Sequence, residues 1–369
     1  MAEILVSGYY GFSNAGDEAI LGGIITACRA IDPSVRFTVI SSKVVRTRAV
    51  HGVEAVSRGD VRAILKAMSR ADLLLSGGGS LLQDVTGMKS IPYYLGVTTL
   101  GKLRGLPVMF YAHGVGPVRR LISRTLIAIL GGLAVDQATV RDEESAAELR
   151  QLGLSRKPIT VTADPALALS IPSREAGMTI LSQLGIEPHG PLIGVAIRPW
   201  KHADTRMLAA LAQALDEVAA ETGGTILFVP MQYPQDVTAA REVAALMRHT
   251  PMLFEGNVPY NDIQAVIAAC DLVVGMRYHS LVFAAMAGVP TVGLSYDQKN
   301  DNFLRLLEQR AVGTPKDLDA TRLKTAILES LANRGAIAAR YRQVMERLVP
   351  LAHRNAAIAW ELMQRWQSK

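Results

Sequence analysis

Cys270-Asp-Leu-Val-Val-Gly-Met-Arg-Tyr-His-Ser-Leu281 reads as a strand that empties into a short loop and then a helix. Its opening residues, up to Gly275, form the kind of brief apolar run that marks a strand buried on both faces of a parallel sheet. The first half of the chain carries a loose echo, Ala71-Asp-Leu-Leu-Leu-Ser-Gly-Gly-Gly-Ser-Leu81, with the same expected order of strand, loop and helix. One loop is built from glycines, the other from Arg277 and His279, which bring a fixed cation and a titratable imidazole. In open α/β sheets ligands bind outside the carboxyl ends of the strands, so both loops are expected to face one cleft.

Outward from these stretches, short apolar runs bounded by Gly or Pro alternate with longer helical patterns, as βαβ units require. Strands are expected at 3–7, 36–41, 72–76, 107–112, 137–141 and 159–162, with helices at 17–30 and 143–152. A stretch rich in Pro and Gly, 169–190, forms the link. Further strands follow at 192–197, 225–230, 252–254, 271–275 and 291–294, with a helix at 206–222. At 369 residues the chain exceeds what one core usually organises. The fold class is therefore α/β, with two Rossmann-like, doubly wound domains: 1–170, then 191–319. A helical tail, 320–369, is placed to pack back on the first domain.

Composition excludes several classes. The formal net charge is +6, but no dense Lys/Arg run is interleaved with aromatics, which make up only 5% of the chain, so nucleic acid is not an expected partner. Cys28 and Cys270 sit among apolar residues and read as reduced, packed thiols. The amino terminus runs straight into a strand without a secretion signal, and the longest uncharged stretch, 280–296, is broken by Gly288, Pro290 and Gly293. The expected location is the cytoplasm. Residues 117–135, where Arg119, Arg120 and Arg124 precede an apolar run, read as a core helix with a solvated basic end, ahead of a helix resting on an anionic membrane.

Three loops of the first domain are candidate binding elements. Gly8 to Glu18 holds Asn14, Gly16 and Asp17 between the first strand and first helix. Its spacing is neither a dinucleotide fingerprint nor a P-loop, and Asp17 and Glu18 disfavour a phosphate, so a sugar or neutral acceptor is the expected contact. Helix capping by Ser13, Asn14 or Asp17 is the competing reading. Gly78 and Gly79 let backbone approach a ligand, or simply turn the chain. His113, in Tyr111-Ala-His-Gly-Val-Gly116, ends another strand and is either a second imidazole for the site or a structural one.

In the second domain nearly every strand end carries a polar group. Arg198, Arg277 and Lys299 together suit a small, highly charged anion, unless each pairs with a structural carboxylate. His279 is the natural general acid or base, since an imidazole exchanges a proton near neutrality. No His/Cys spacing suits zinc and no Gly-x-Ser-x-Gly elbow appears, so neither a metal centre nor a serine hydrolase is expected.

Taken in order, Asn14-Ala-Gly-Asp17, Leu75-Ser-Gly-Gly-Gly79, His113-Gly-Val-Gly-Pro117, Val140-Arg-Asp142, Asp164-Pro165, Met276-Arg-Tyr-His-Ser280 and Ser295-Tyr-Asp-Gln-Lys299 resemble the polysaccharide pyruvyl transferase family, in its CsaB-type bacterial branch linked to cell-surface anchoring. The resemblance implies a fold like that of GT-B glycosyltransferases. It also implies transfer of a pyruvyl group from phosphoenolpyruvate to two hydroxyls of a sugar, with release of phosphate and no cofactor. By the same resemblance Arg277 is the anion clamp and His279 the acid. Arg141, at a strand end, is a further donor contact or else a partner of Asp142, Glu143 or Glu144. The first domain then becomes the acceptor side and the second the donor side. The branch implies a 4,6-ketal on N-acetylmannosamine in a lipid-diphosphate-linked precursor, with residues 119–130 as a docking face on the inner side of the membrane.

Two other readings stay open. A GT-B glycosyltransferase would use the same fold and a basic cleft for a nucleotide sugar, with Glu255 or Asp297 holding the ribose. A non-catalytic binder of sugar polymers is the more distant alternative, and intact Arg277 and His279 argue against it.

Overall fold

The computed structural model describes residues 1–84, 87, 89–199 and 205–368. The chain forms two units: one comprises Met1–Phe12, Asp17–Leu169 and Leu348–Lys369, the other Ser13–Gly16 and Ser170–Arg347.

The first unit is built on strands β1 (Glu3–Ser7), β2 (Arg36–Ser41), β3 (Glu54–Ser57), β4 (Leu73–Ser76), β5 (Gly79–Leu82), β6 (Val108–Val115), β7 (Gln137–Val140) and β8 (Ile159–Val161). They pair in parallel in the order β3-β2-β1-β4-β6-β7-β8, with β5 also on β6. Every residue of β1 and β4 is buried, as expected for central strands covered on both faces. The winding reverses between β1 and β4, which places the loops after Ser7 and Ser76 at the topological switch point.

Two elements differ from the sequence reading. β3 was not expected, because Glu54-Ala-Val-Ser57 buries only Ala55 at the sheet edge and offers no apolar run. After Gly77-Gly78 the chain does not pass directly into a helix but makes β5, with Gly79 opposite His113; the helix Ser90–Leu103 follows later. The echo with the 270–281 stretch therefore ends at the loop.

The second unit carries β9 (Leu192–Ala196), β10 (Thr225–Phe228), β11 (Met252–Leu253), β12 (Leu272–Gly275) and β13 (Thr291–Gly293) in the parallel order β11-β10-β9-β12-β13. Its winding repeats the first five positions of the other sheet. The reversal lies between β9 and β12, so Arg198 and Arg277 both follow switch-point strands. Helices Thr205–Thr222, Gln235–Ala244 and Ala320–Ala332 share one apolar core with β9, β10 and β12 through residues such as Leu211, Val243, Ile327 and Val274.

Helix Arg334–Gln367 contains Pro350, just past the residue where its allegiance changes. In the second unit the hydroxyls of Tyr341 and Thr291 share a hydrogen bond of 2.8 Å. In the first, Asn355 accepts from Thr162 Oγ1 at 2.7 Å and donates to the Ala163 carbonyl, while Trp366 Nε1 donates to the Gly105 carbonyl at 2.9 Å. No helix among the described residues is long and apolar enough to cross a membrane.

Candidate active site

Within the second unit, the end of β12 is locked to β9: the N–H groups of Met276 and Arg277 both donate to the Ala196 carbonyl, at 2.8 and 3.2 Å. Buried Asn300 donates to the Met276 carbonyl at 2.8 Å and to that of Leu294 at 3.3 Å, joining the ends of β12 and β13. Arg277 then sits in extended backbone just before helix Tyr278–Met286, and Ser280 closes the turn by donating to the Arg277 carbonyl. The backbone that carries Arg277 and His279 is thus fixed from both sides.

Arg277 has the structural carboxylate that its alternative reading anticipated. Its Nε donates to Asp236 Oδ2 at 2.8 Å, its Nη2 to Asp236 Oδ1 and, at 3.1 Å, to Gln232 Oε1. The Asp236 side chain is fully buried and also accepts from the N–H groups of Met231 and Gln232. Such a two-pronged pair fixes the plane of the guanidinium. Nη1 takes no protein partner among the described residues, so the clamp is oriented without being used up.

Ser13–Gly16 belong to this unit. Ala15 N–H donates to the Met231 carbonyl at 2.8 Å, Tyr233 N–H to the Ser13 carbonyl at 3.0 Å, and Asn14 forms a bridge with Gln232. Gly16 lies against the imidazole of His279: a Cβ on Gly16 would stand 2.1 Å from Nδ1. Asn14 Oδ1 accepts from Gly16 N–H at 3.0 Å, the local capping geometry that its alternative reading foresaw. His279 is half-buried, edge-on to Tyr278 at 5.0 Å between ring centres.

Arg198 and Lys299 gather around Tyr296. The Arg198 guanidinium lies 4.7 Å from the ring centre and the Lys299 ammonium 5.9 Å. Burial pushes the Tyr296 phenol up, but Lys299, Arg198 and Arg277 outweigh it and hold the phenol below its ordinary pKa. Asp297 caps the helix Gln298–Leu306 through Lys299 N–H and stands 3.6 Å from the Lys299 ammonium. Arg198 Nε is buried without a hydrogen-bond partner among the described residues. Three cations with only partial neutralisation make this switch point electropositive. Lys201 and His202, just beyond Arg198, lie outside the described residues.

The first unit has a switch point of its own. Arg141 is buried; Nη1 donates to Asp164 Oδ2 at 3.2 Å and Nη2 to Ser80 Oγ at 3.3 Å, with Asp142 farther, at 3.8 Å from Nε. Its main partner is therefore Asp164, not a residue adjacent in sequence. The guanidinium lies flat against Gly114, where a Cβ would come within 2.3 Å of Nη2, so only glycine fits there. His113 is fully buried, stacked on Phe110, with Nε2 3.0 Å from the Ser76 carbonyl. Burial, aided by the Arg141 charge and opposed by the Ser76 bond, brings its pKa down to about 4, so the ring is neutral at pH 7. This arrangement braces the turn after β4. Gly78 and Gly79 are buried in that turn, and Asp17 approaches Gly79.

Residues 14–298 match the sequence model of the polysaccharide pyruvyl transferases. The chain belongs to that family. Most motif residues of this family member fall into two clusters: Gly114, Arg141 and Asp164 meet in the first unit beside Ser80, while Asn14, Gly16, Arg277, His279, Tyr296 and Lys299 lie in the second.

Solved structures resemble this transferase at low identity. The Anabaena protein HepE in complex with UDP and glucose matches with a TM-score of 0.67 and 15% identity, over 98% of this chain and 100% of its own. A putative UDP-N-acetylglucosamine 2-epimerase from Listeria monocytogenes gives 0.65 and 14%, over 96% and 94%. The E. coli ADP-heptose LPS heptosyltransferase II gives 0.52 and 16%, over 90% and 99%. These likenesses establish the fold, that of GT-B glycosyltransferases and related epimerases, and leave chemistry to the site.

Sequence reasoning gave no role to Asp236, Asn300, Tyr296 or Gly114. Tyr296 and Asn300 stood among the polar groups of a strand end and Gly114 inside a matching motif, whereas Asp236 carries no local signal beyond its place near a helix start.

Proposed function

We propose that this family member moves the pyruvyl group of phosphoenolpyruvate onto two hydroxyls of a sugar, forming a cyclic ketal and releasing phosphate. The observation that carries this reading is the pairing of an oriented cation, Arg277, with His279 at the switch point of a sheet where Arg198 and Lys299 also gather. Phosphoenolpyruvate bears a carboxylate and a phosphate, and a site with three cations matches both groups.

In this reading His279 donates a proton to the methylene carbon, which leaves the adjacent carbon electrophilic. One sugar hydroxyl adds there. The second hydroxyl then displaces phosphate and closes the ketal. Of the two hydroxyl protons released, one restores His279 and the other leaves with phosphate. Arg277, Arg198 and Lys299 stabilise negative charge on the departing group, a contribution that often dominates catalysis. Asn14 and Gly16, which share the unit of His279, are assigned to the acceptor. Arg141 belongs to the first unit's own cluster. The acceptor we infer is an N-acetylmannosamine residue, pyruvylated at its 4- and 6-hydroxyls, in a lipid-diphosphate-linked cell-wall precursor handled in the cytoplasm without a cofactor.

The nucleotide-sugar alternative needs a free carboxylate for the ribose. Glu255 is instead held by both Nε and Nη2 of Arg241 at 2.9 Å, and Asp297 is engaged as a helix cap beside Lys299. The deciding experiment incubates purified protein with phosphoenolpyruvate and a synthetic lipid-linked N-acetylmannosaminyl acceptor. A ketal methyl signal by NMR with matching phosphate release is expected. Turnover of a UDP-sugar, with no phosphate released from phosphoenolpyruvate by any acceptor, would replace this reading with a glycosyltransferase.

A further inference from the structure

Residues 121–134 pack one side into the core of the first unit behind the solvated Arg119 and Arg120, as their sequence suggests, but the other side is apolar and exposed. Helix Leu121–Leu126 runs on through a π turn, Ile127–Gly131, into Gly132–Ala134, and only one side of it, with Ile127 and Ala134, is buried in the first unit. The outward side presents Leu121, Ile122, Ile129 and Leu133, which are 79, 67, 54 and 67% exposed. Soluble surfaces rarely line up four large aliphatic side chains on one short helix.

The neighbouring helix Ser90–Leu103 packs against this one and shares its core through Ile91 and Leu95. Its own outward residues include Pro92, Gly96 and Leu103, again without charge. No acidic residue occurs in 90–104 or 117–135. Basic residues border the face instead: Arg119 and Arg120 are exposed, their backbone N–H groups pinned by Asp84 at 3.0 and 2.8 Å, and Arg104 is exposed at the end of the other helix.

From this pattern we propose that the face formed by residues 121–134 and 90–103 docks the protein on an anionic lipid bilayer, with the aliphatic side chains entering the headgroup boundary and the arginines meeting lipid phosphates. An apolar strip bordered by arginine, on a helix too short to span, has the character of an in-plane membrane helix. The charge argues for lipid over a second copy of the chain, because the same face of a second copy holds no Asp or Glu in 90–104 or 117–135 to meet the arginines. The inference rests on the surface alone. It gives a lipid-linked acceptor a place to be met, yet does not depend on that acceptor.

Full-length protein is sedimented with vesicles of phosphatidylcholine alone and of an equal mixture of phosphatidylcholine and phosphatidylglycerol, which contain neither donor nor sugar. Pyruvyl transfer is therefore not read, and failure here leaves the proposed reaction untouched. Binding to the mixed vesicles only, weakened by salt, is expected. The triple variant Ile122→Ser, Ile129→Ser, Leu133→Ser changes exposed positions only and should lose at least about tenfold in affinity with thermal stability retained. Arg119→Glu with Arg120→Glu should lose about fivefold or more per arginine. Wild type remaining in the supernatant would overturn the proposal, as would binding equal in both variants and both lipids. A dimer in solution that the serine variant splits, without vesicle binding, would reassign the face to self-association.

Discussion

Gly16 and His279 are in such close apposition that a single methyl group cannot be added between them: the Cβ of any other residue would lie 2.1 Å from the imidazole Nδ1. Gly16 lies in the first turn of a helix, where alanine is otherwise the better residue by up to about 1 kcal/mol. Gly16→Ala should therefore leave the thermal midpoint close to wild type while it displaces His279. A misplacement of about 1 Å costs on the order of a hundredfold in turnover. We expect kcat to fall by that order with phosphoenolpyruvate affinity little changed, and retained turnover would show that His279 does not act from this position.

Asp236 is the anchor of the clamp. It accepts from two backbone N–H groups as well as from Arg277, and its side chain is fully buried. Asp236→Asn keeps the shape but removes the charge, and its single carbonyl oxygen cannot accept from both the guanidinium prongs and the two backbone N–H groups, since its NH2 donates where they need an acceptor. Breaking a buried pair in this way typically costs about 3–5 kcal/mol. The expected result is a lower urea midpoint together with a weaker affinity for phosphoenolpyruvate, because the guanidinium loses its fixed plane. Loss of stability with unchanged donor affinity would mean that Arg277 does not need Asp236 in order to bind.

Arg277 and His279 should separate kinetically. His279→Gln removes the proton donor and leaves the cations in place, so kcat should fall by about a hundredfold to ten-thousandfold while the phosphoenolpyruvate dissociation constant stays within a few fold. Arg277→Lys keeps a charge but gives up the planar fork that Asp236 and Gln232 orient. Its donor affinity should weaken by about tenfold or more. Calorimetric titration with phosphoenolpyruvate, read beside single-turnover rates, distinguishes the two variants. If both variants lose binding equally, His279 is part of the clamp and not the acid.

How far such a site can be read from sequence depends on the range of its contacts. Leu73–Leu75 and Leu272–Val274 announced central strands because both sheet faces are covered, which leaves no room for polar residues. β3 gave no such sign, since an edge strand with one buried side chain has no apolar run to show. Arg277 and His279 were legible because a single strand end presents both. Asp236 was not: it is 41 residues from its arginine, and a carboxylate at a helix start looks like a cap. The closeness of Gly16 and His279 exists only once the chain is folded. Residues 117–135 were legible as a core helix with a solvated basic end, but their exposed aliphatic side was not, because an apolar run does not say which of its residues face the core.

The acid side of the stability profile should carry the signature of His113. In the unfolded chain its imidazole takes up a proton near pH 6.5, whereas burial resists protonation in the native state until about pH 4. Between those values the unfolded chain binds more protons, so stability falls as the pH is lowered through the window and recovers as it is raised, with no further gain above about pH 6.5. The full effect is on the order of 3 kcal/mol. His113→Gln cannot titrate and retains a donor for the Ser76 carbonyl. It should begin less stable at pH 7 because it disturbs the stack on Phe110, yet lose less between pH 6.5 and 4. Urea midpoints taken across that range for both proteins test this, since every other titrating group is common to the two and drops out of their difference. Parallel profiles would show that His113 protonates without cost and is not held neutral by its burial.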